Sequence, residues 1–104
     1  MQIIADYQGL AIRLTEERLK HILEHPEMRT FEEAIIETLK IPVMVIQSAS
    51  DAAAHLYYRF YTETIMGDKF ICVVVKMKLG DPFVLTAYLT DKPKKGKTLW
   101  SASN

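Results

Sequence analysis

The chain has 104 residues with 13 basic and 13 acidic side chains, so its formal net charge is zero. That length suits one domain over residues 1–104, and the charge balance supplies no bulk attraction to a polyanion. A single cysteine, Cys72, excludes an internal disulfide. No apolar run nears the roughly 18 residues that span a bilayer, and the start MQIIADYQG lacks the basic and then long apolar pattern of a signal peptide. The reading is a soluble, cytoplasmic protein with no membrane partner. The charges are nonetheless uneven. Acidic residues crowd the first 40 positions, whereas DKPKKGK at 91–97 is strongly basic.

In chain order, QIIADYQGLAIRLT alternates apolar and polar residues around Gly9, which predicts a short first hairpin. Thr15 is placed to cap a helix whose first turn holds Glu16 and Glu17, where the dipole favours negative charge. Leu19, Ile22 and Leu23 form its apolar face, and Pro26 stops it. TFEEAIIETLK opens with the capping-box pair Thr30 and Glu33, predicting a second helix with Phe31, Ala34, Ile35 and Leu39 buried and Pro42 as its end. The rest is rich in β-branched and aromatic residues, predicting strands at about 43–48, 55–66, 69–79 and 83–90. Short links between the last three predict an antiparallel meander. Helices first and strands afterwards give an α+β class, with the N-terminal helices packed on one face of a four-stranded antiparallel β-meander.

The register follows from the turns. A two-residue turn at Gly67-Asp68 sets Arg59 opposite Lys76 and Phe60 opposite Val75, and a three-residue loop at Gly80–Pro82 sets Lys76 opposite Thr86. One face then carries Tyr58, Phe60, Val73, Val75, Met77, Leu85, Ala87 and Leu89 as the core surface. The other carries His55, Tyr57, Arg59, Tyr61, Lys76, Lys78, Thr86 and Tyr88. Arg59 beside Lys76 is a like-charge pair, unfavourable unless something negative bridges it. A slip of one residue exchanges the faces.

Two constellations carry chemistry. Arg18, His21 and His25 fall in one narrow sector of the first helix, beside its apolar face. They read either as an acid–base and phosphate-binding stripe or as an ordinary solvated helix edge. The Arg59–Lys76–Thr86 row with Tyr57, Tyr61 and Tyr88 reads either as a phosphate and base platform or as a solvated sheet face. The lysines at 92, 94, 95 and 97 are a solvated tail or a binding segment, with Trp100 anchoring them to the core or flanking the site. HExxH is absent and no Cys/His cluster completes a coordination shell, so neither metal nor cofactor is expected.

The segments LTEERLKHILEHPEM, FEEAIIETLKIPVMVI, HLYYRFY, FICVVVKM and FVLTAYLTDKPKKGKTLW, in that order, resemble the phage-type barnase–EndoU–colicin–RelE-like nuclease group, PBECR, of the BECR nuclease fold. The resemblance covers about residues 13 to 100. It implies N-terminal helices on a four-stranded antiparallel sheet, and a metal-independent ribonuclease with its site on the sheet face away from the helices or at its rim. In that scheme His21 or His25 takes the proton from an attacking 2′-hydroxyl. Arg59, Lys76 and Arg18 stabilise the phosphorane, Thr86 or a tyrosine among Tyr57, Tyr61 and Tyr88 hydrogen-bonds it, and a 2′,3′-cyclic phosphate results. The alternative is a non-catalytic module binding RNA or a protein, or the toxin-like half of a two-protein system inhibited by an acidic protein.

Overall fold

The computed structural model describes residues 1–102. Strands β1 (Gln2–Ala5) and β2 (Ala11–Leu14) form the expected first hairpin. Gly9 turns the chain at φ 86°, and Asp6 Oδ1 accepts the N–H groups of Gln8 and Leu10, each at 2.9 Å. Helix α1 (Glu16–Leu23) begins at the Thr15 cap, whose hydroxyl accepts the Arg18 N–H at 3.1 Å. It buries Ile22 and gives way to a 3-10 turn at Pro26–Met28, in which Met28 is fully buried.

Helix α2 (Glu32–Lys40) corrects the capping-box expectation, because Phe31 occupies the cap position and no side chain caps the helix. Thr30 lies one residue too early for that role. Phe31 instead packs against the core and stacks on Tyr61, with centroids 6.3 Å apart, so apolar packing sets the helix entry. Ile35, Thr38 and Leu39 are buried, and the Thr38 hydroxyl is satisfied by the Ala34 carbonyl at 2.7 Å.

Strands β3 (Met44–Ser48), β4 (Ala54–Thr64), β5 (Gly67–Lys76) and β6 (Phe83–Thr90) form the predicted antiparallel meander. It is not the whole sheet. β1 and β2 join beyond β6, and a further strand, β7 (Gly96–Ser101), pairs with the outer side of β3. The result is a seven-stranded mixed sheet in the order β1-β2-β6-β5-β4-β3-β7. The parallel join of β2 to β6 rests on one register pair, Arg13 with Phe83. It is held by a two-pronged Arg13–Asp81 ion pair, each contact 2.9 Å. β7 lies in the stretch read as a tail, where the lysines mask the strand-forming Thr98, Leu99 and Trp100. Trp100 does anchor it, packing at 4.9 Å from Tyr7.

The decisive correction is the register of β4 against β5. The turn falls at Ile65-Met66, with Thr64 opposite Gly67, and that shift alone would leave every side chain on its predicted face. Between this pair and the next, Tyr61 with Lys69, β4 holds Thr62 and Glu63 while β5 holds only Asp68. This one-residue bulge flips β4 relative to its neighbour. Glu63 takes a left-handed φ of 58°, and its N–H is accepted by Asp68 Oδ1 at 3.0 Å. A second irregularity, at Leu85 of β6, brings Lys76 opposite Phe83 and Thr86 opposite Val74, correcting the Lys76–Thr86 pair.

Two hydrophobic clusters result, one on each side of the sheet. The larger unites Ile22, Met28, Ile35 and Leu39 of the helical segment with Ile12, Leu14, Ile71, Val73, Val75 and Val84 of the sheet. The smaller lies on the other face and holds Ile46, Leu56, Tyr58, Cys72 and Val74, with Phe70, Leu85 and Tyr88 packed against it. That face was expected to be polar and solvated. It is apolar at its centre and is crossed by the segment 91–95, which carries the chain from β6 to β7 and whose Lys94 N–H donates to Tyr58 Oη at 3.0 Å.

A left-handed backbone costs a side-chain-bearing residue about 1–2 kcal/mol, more than the extra chain entropy that glycine brings. Glu63→Gly is therefore predicted to stabilise the fold by about 0.5–1 kcal/mol, and the β-branched Glu63→Val to destabilise it. Urea denaturation of the two variants checks this.

Candidate functional site

The bulge separates the residues expected to form one platform. His55, Tyr57, Arg59 and Tyr61 turn to the helix side, paired with Val75, Val73, Ile71 and Lys69. Arg59 donates to the Ile41 carbonyl at 2.7 Å and to Glu37 Oε1 at 3.3 Å, so it closes the C-terminal end of α2. The Tyr61 hydroxyl donates to Glu37 at 2.6 Å, and burial together with that carboxylate pushes its pKa up to about 12. Tyr57 is fully buried and donates to Asp6 Oδ2 at 2.6 Å. These polar tips explain the choice of register. Both alternations of β4 are bulky and apolar, but only this one gives buried Asp6 a third donor, and an unsatisfied buried acceptor costs about 1–3 kcal/mol.

Lys76 lies on the opposite face from Arg59 and is tied to Asp51 in the β3–β4 loop. The expected like-charge pair does not exist, and no bridging anion is needed. Thr86 and Tyr88 do lie on the face away from the helices, opposite Val74 and Cys72. The Tyr88 hydroxyl is buried with no hydrogen-bond partner of ordinary geometry. The Cys72 thiol beside it is raised by burial, so it is no ready nucleophile.

Helix α1 ends at Leu23, so it carries Arg18 and His21 of the expected stripe, whereas His25 follows it in extended backbone at the head of the 3-10 turn. Arg18 reaches across to β6 and donates to the Leu85 carbonyl at 3.4 Å, which sets α1 against the part of β6 that β2 leaves unpaired. His21 and His25 are exposed and meet edge to face at 6.0 Å. Arg18 therefore ties α1 to β6, the third strand of the sheet. Arg59 and Lys76 do not join Arg18 and the histidines.

What the other face does gather was not foreseen. Phe60, Phe70 and Thr90 pair in one row across β4, β5 and β6. The Phe60 and Phe70 rings meet at 5.0 Å and 68°, and Phe60 is 45% exposed despite its size. The 91–95 segment starts where this row ends, and the Thr90 hydroxyl donates to the Lys92 carbonyl at 3.2 Å. Lys92, Lys94 and Lys95 are exposed along it, and the Lys94 ammonium lies 5.6 Å from the Tyr88 ring centroid. A large aromatic left in water beside a file of lysines is the unusual feature of this surface. Its sequence signal was the aromatic content of both alternations of HLYYRFY, assigned to the wrong side by the unseen bulge.

Two cavities of about 280 and 260 Å³ flank Thr30 on the helix side. Glu27, Glu63 and Arg29 line the first, and Glu33 and Glu37 line the second with no cation, so carboxylates outnumber cations in both and neither favours phosphate. Among the described residues no cluster of His, Cys, Asp and Glu is arranged to hold a metal ion, and no helix is long and apolar enough to cross a membrane.

Burial holds the His55 imidazole below its ordinary pKa of 6.5, an effect that the Asp6 carboxylate opposes. As pH falls, the unfolded chain takes up this proton before the folded one does, so stability is lost. Unfolding free energy is predicted to decline as pH drops from about 6.5 toward the lowered value, with a smaller decline in His55→Gln. Urea denaturation at a series of pH values across that window checks it.

Neither a protein-family model, nor a curated protein, nor a solved structure matches this chain.

Proposed function

We propose that this protein is a small RNA-binding domain whose interface is the sheet face away from the helices. The observation that carries the reading is exposed Phe60, braced by half-buried Phe70, in the row that runs into the lysine-bearing segment 91–95. Aromatic rings on adjacent strands give bases a stacking surface, and lysines alongside hold phosphates. The zero net charge fits a short footprint better than a long polyanion track, because salt-dependent affinity grows with the number of phosphates neutralised. The carboxylate-lined cavities lie on the other side and take no part.

Replacing Lys92, Lys94 and Lys95 together by alanine is expected to weaken binding of an unstructured RNA roughly tenfold at low salt and to flatten its salt dependence. Arg59→Ala is expected to lower stability and leave the affinity unchanged, since Arg59 is engaged with α2 on the far side. Fluorescence anisotropy at several salt concentrations reads both, and an unchanged affinity in the lysine variant contradicts the proposal.

A second reading, metal-independent cleavage by a protein of the PBECR type, is favoured by the exposed His21–His25 pair, 6.0 Å apart, on and just after the helix whose Arg18 reaches β6. In it His21 or His25 takes the 2′-hydroxyl proton, Arg18 steadies the phosphorane, and the P–O5′ bond breaks to release a 5′-hydroxyl end that takes up the proton. In its two-protein form, an acidic inhibitor covers the same lysines. This reading expects RNA to be cut in EDTA to 2′,3′-cyclic phosphate ends, with a loss of about a hundredfold or more in the His21→Ala, His25→Ala double variant. Intact RNA after long incubation with the wild type, bound but uncut, rejects it.

A further inference from the structure

We infer that the Phe60–Phe70 row accepts unpaired bases, so that the ligand is a single strand and not a duplex; this rests on the reading of that face as an RNA interface. The ring geometry is the first support. At 68° to one another the two rings do not form a parallel ladder, and Phe70 braces Phe60 edge to face. Phe60 thus offers one exposed aromatic face. A base can stack on it only when its own π-surface is free, and in a duplex both surfaces are covered by neighbouring base pairs.

The placement of charge is the second. Lys92, Lys94 and Lys95 occupy a stretch of at most about 14 Å even when fully extended. That file suits one sugar–phosphate strand, whereas shape-directed duplex binding draws on contacts spread over two strands and successive grooves. The segment is held in place before any ligand arrives. Its Lys94 N–H is bound by Tyr58 Oη at 3.0 Å, and its first residue, Asp91, is paired with Lys69. Asp91 is mostly exposed and stands at the end of the row. A phosphate is disfavoured beside that carboxylate, which leaves the backbone to follow the lysines and a base to reach Phe60. Lysine is depleted from the cores of protein–protein interfaces, so this mixture of ring and lysines fits a nucleic acid better than a protein.

Fluorescence anisotropy with the full chain tests the inference on three probes of one length: an oligouridylate, its deoxy counterpart, and the duplex of the oligouridylate with oligoadenylate. Both single strands are expected to bind about tenfold or more tighter than the duplex. Phe60→Ala, and Phe60→Leu, which keeps an apolar side chain but removes the ring, are expected to lose about tenfold on the single strands. A logarithmic salt slope near −2 is expected if three lysines each engage a phosphate, at about 0.7 per contact. Equality between the ribo and deoxy strands, or preference for the ribo strand, supports the inference, whereas clear preference for the deoxy strand overturns the RNA reading on which it rests. Duplex bound as tightly as single strand, with Phe60→Leu unchanged, overturns the inference and leaves the RNA-interface reading standing. No binding of any probe overturns that reading and the inference with it.

Discussion

The structure turns on one extra residue. In the last turn of the β4–β5 hairpin, Thr62 and Glu63 share a position opposite Asp68, and from there back to Ala54 every side chain of β4 takes the face it would otherwise have avoided. The bulge is maintained by local backbone geometry, with Glu63 in the left-handed region and its N–H held by the Asp68 carboxylate. Its consequences are long-range. It sends Tyr57 to Asp6, Arg59 to the end of α2 and Tyr61 to Glu37, so three polar tips stitch the sheet to the elements that cover it. The same shift sends Tyr58 and Phe60 to the other side, where one is buried under the 91–95 segment and the other is left in water.

The two faces consequently differ in chemistry. The helix side is the larger core, edged by glutamates that line its cavities. The other side is a smaller apolar patch closed by a lysine-rich strap. A five-residue link is short for a connection between parallel strands that are not neighbours. It makes the crossing here because the face beneath it is apolar and supplies a hydroxyl, Tyr58 Oη, for its backbone. The strap's lysines are exposed on the face that also leaves Phe60 in water, whereas most acidic residues of the first 40 positions lie in or next to the helical segment. Zero net charge therefore conceals an uneven distribution, with an excess of acidic residues in the first 40 positions and a lysine file at 92–97.

Much of the fold was legible in the sequence. Thr15 with Glu16 and Glu17, the stop at Pro26, Gly9 at the first turn and the four β-rich runs all act through local chemistry, which sequence patterns record. The bulge was not legible, because HLYYRFY is apolar and aromatic at both alternations and gives no preference for either face. Its polar tips decide the matter only through Asp6, Glu37 and the Ile41 carbonyl, which lie far away in sequence. β7 was missed because Lys97 and its neighbours look solvated, while the partner that makes them a strand, β3, is 50 residues earlier. The helix stripe was legible only in part, because α1 stops at Leu23 and leaves His25 in extended backbone, while Arg18 reaches β6. The row of Arg59, Lys76 and Thr86 was an artefact of the assumed register, and the exposed row is Phe60, Phe70 and Thr90.

The most direct measurement is a titration of isotope-labelled protein with an oligouridylate, followed by amide and aromatic NMR shifts residue by residue. The account predicts that Phe60, Phe70 and the backbone from Thr90 to Lys95 move together on binding, while Tyr57, Arg59 and Tyr61 on the helix side stay still. Shifts confined to His21, His25 and Arg18, or to the glutamate-lined cavities around Thr30, with the Phe60 row unmoved, would contradict it.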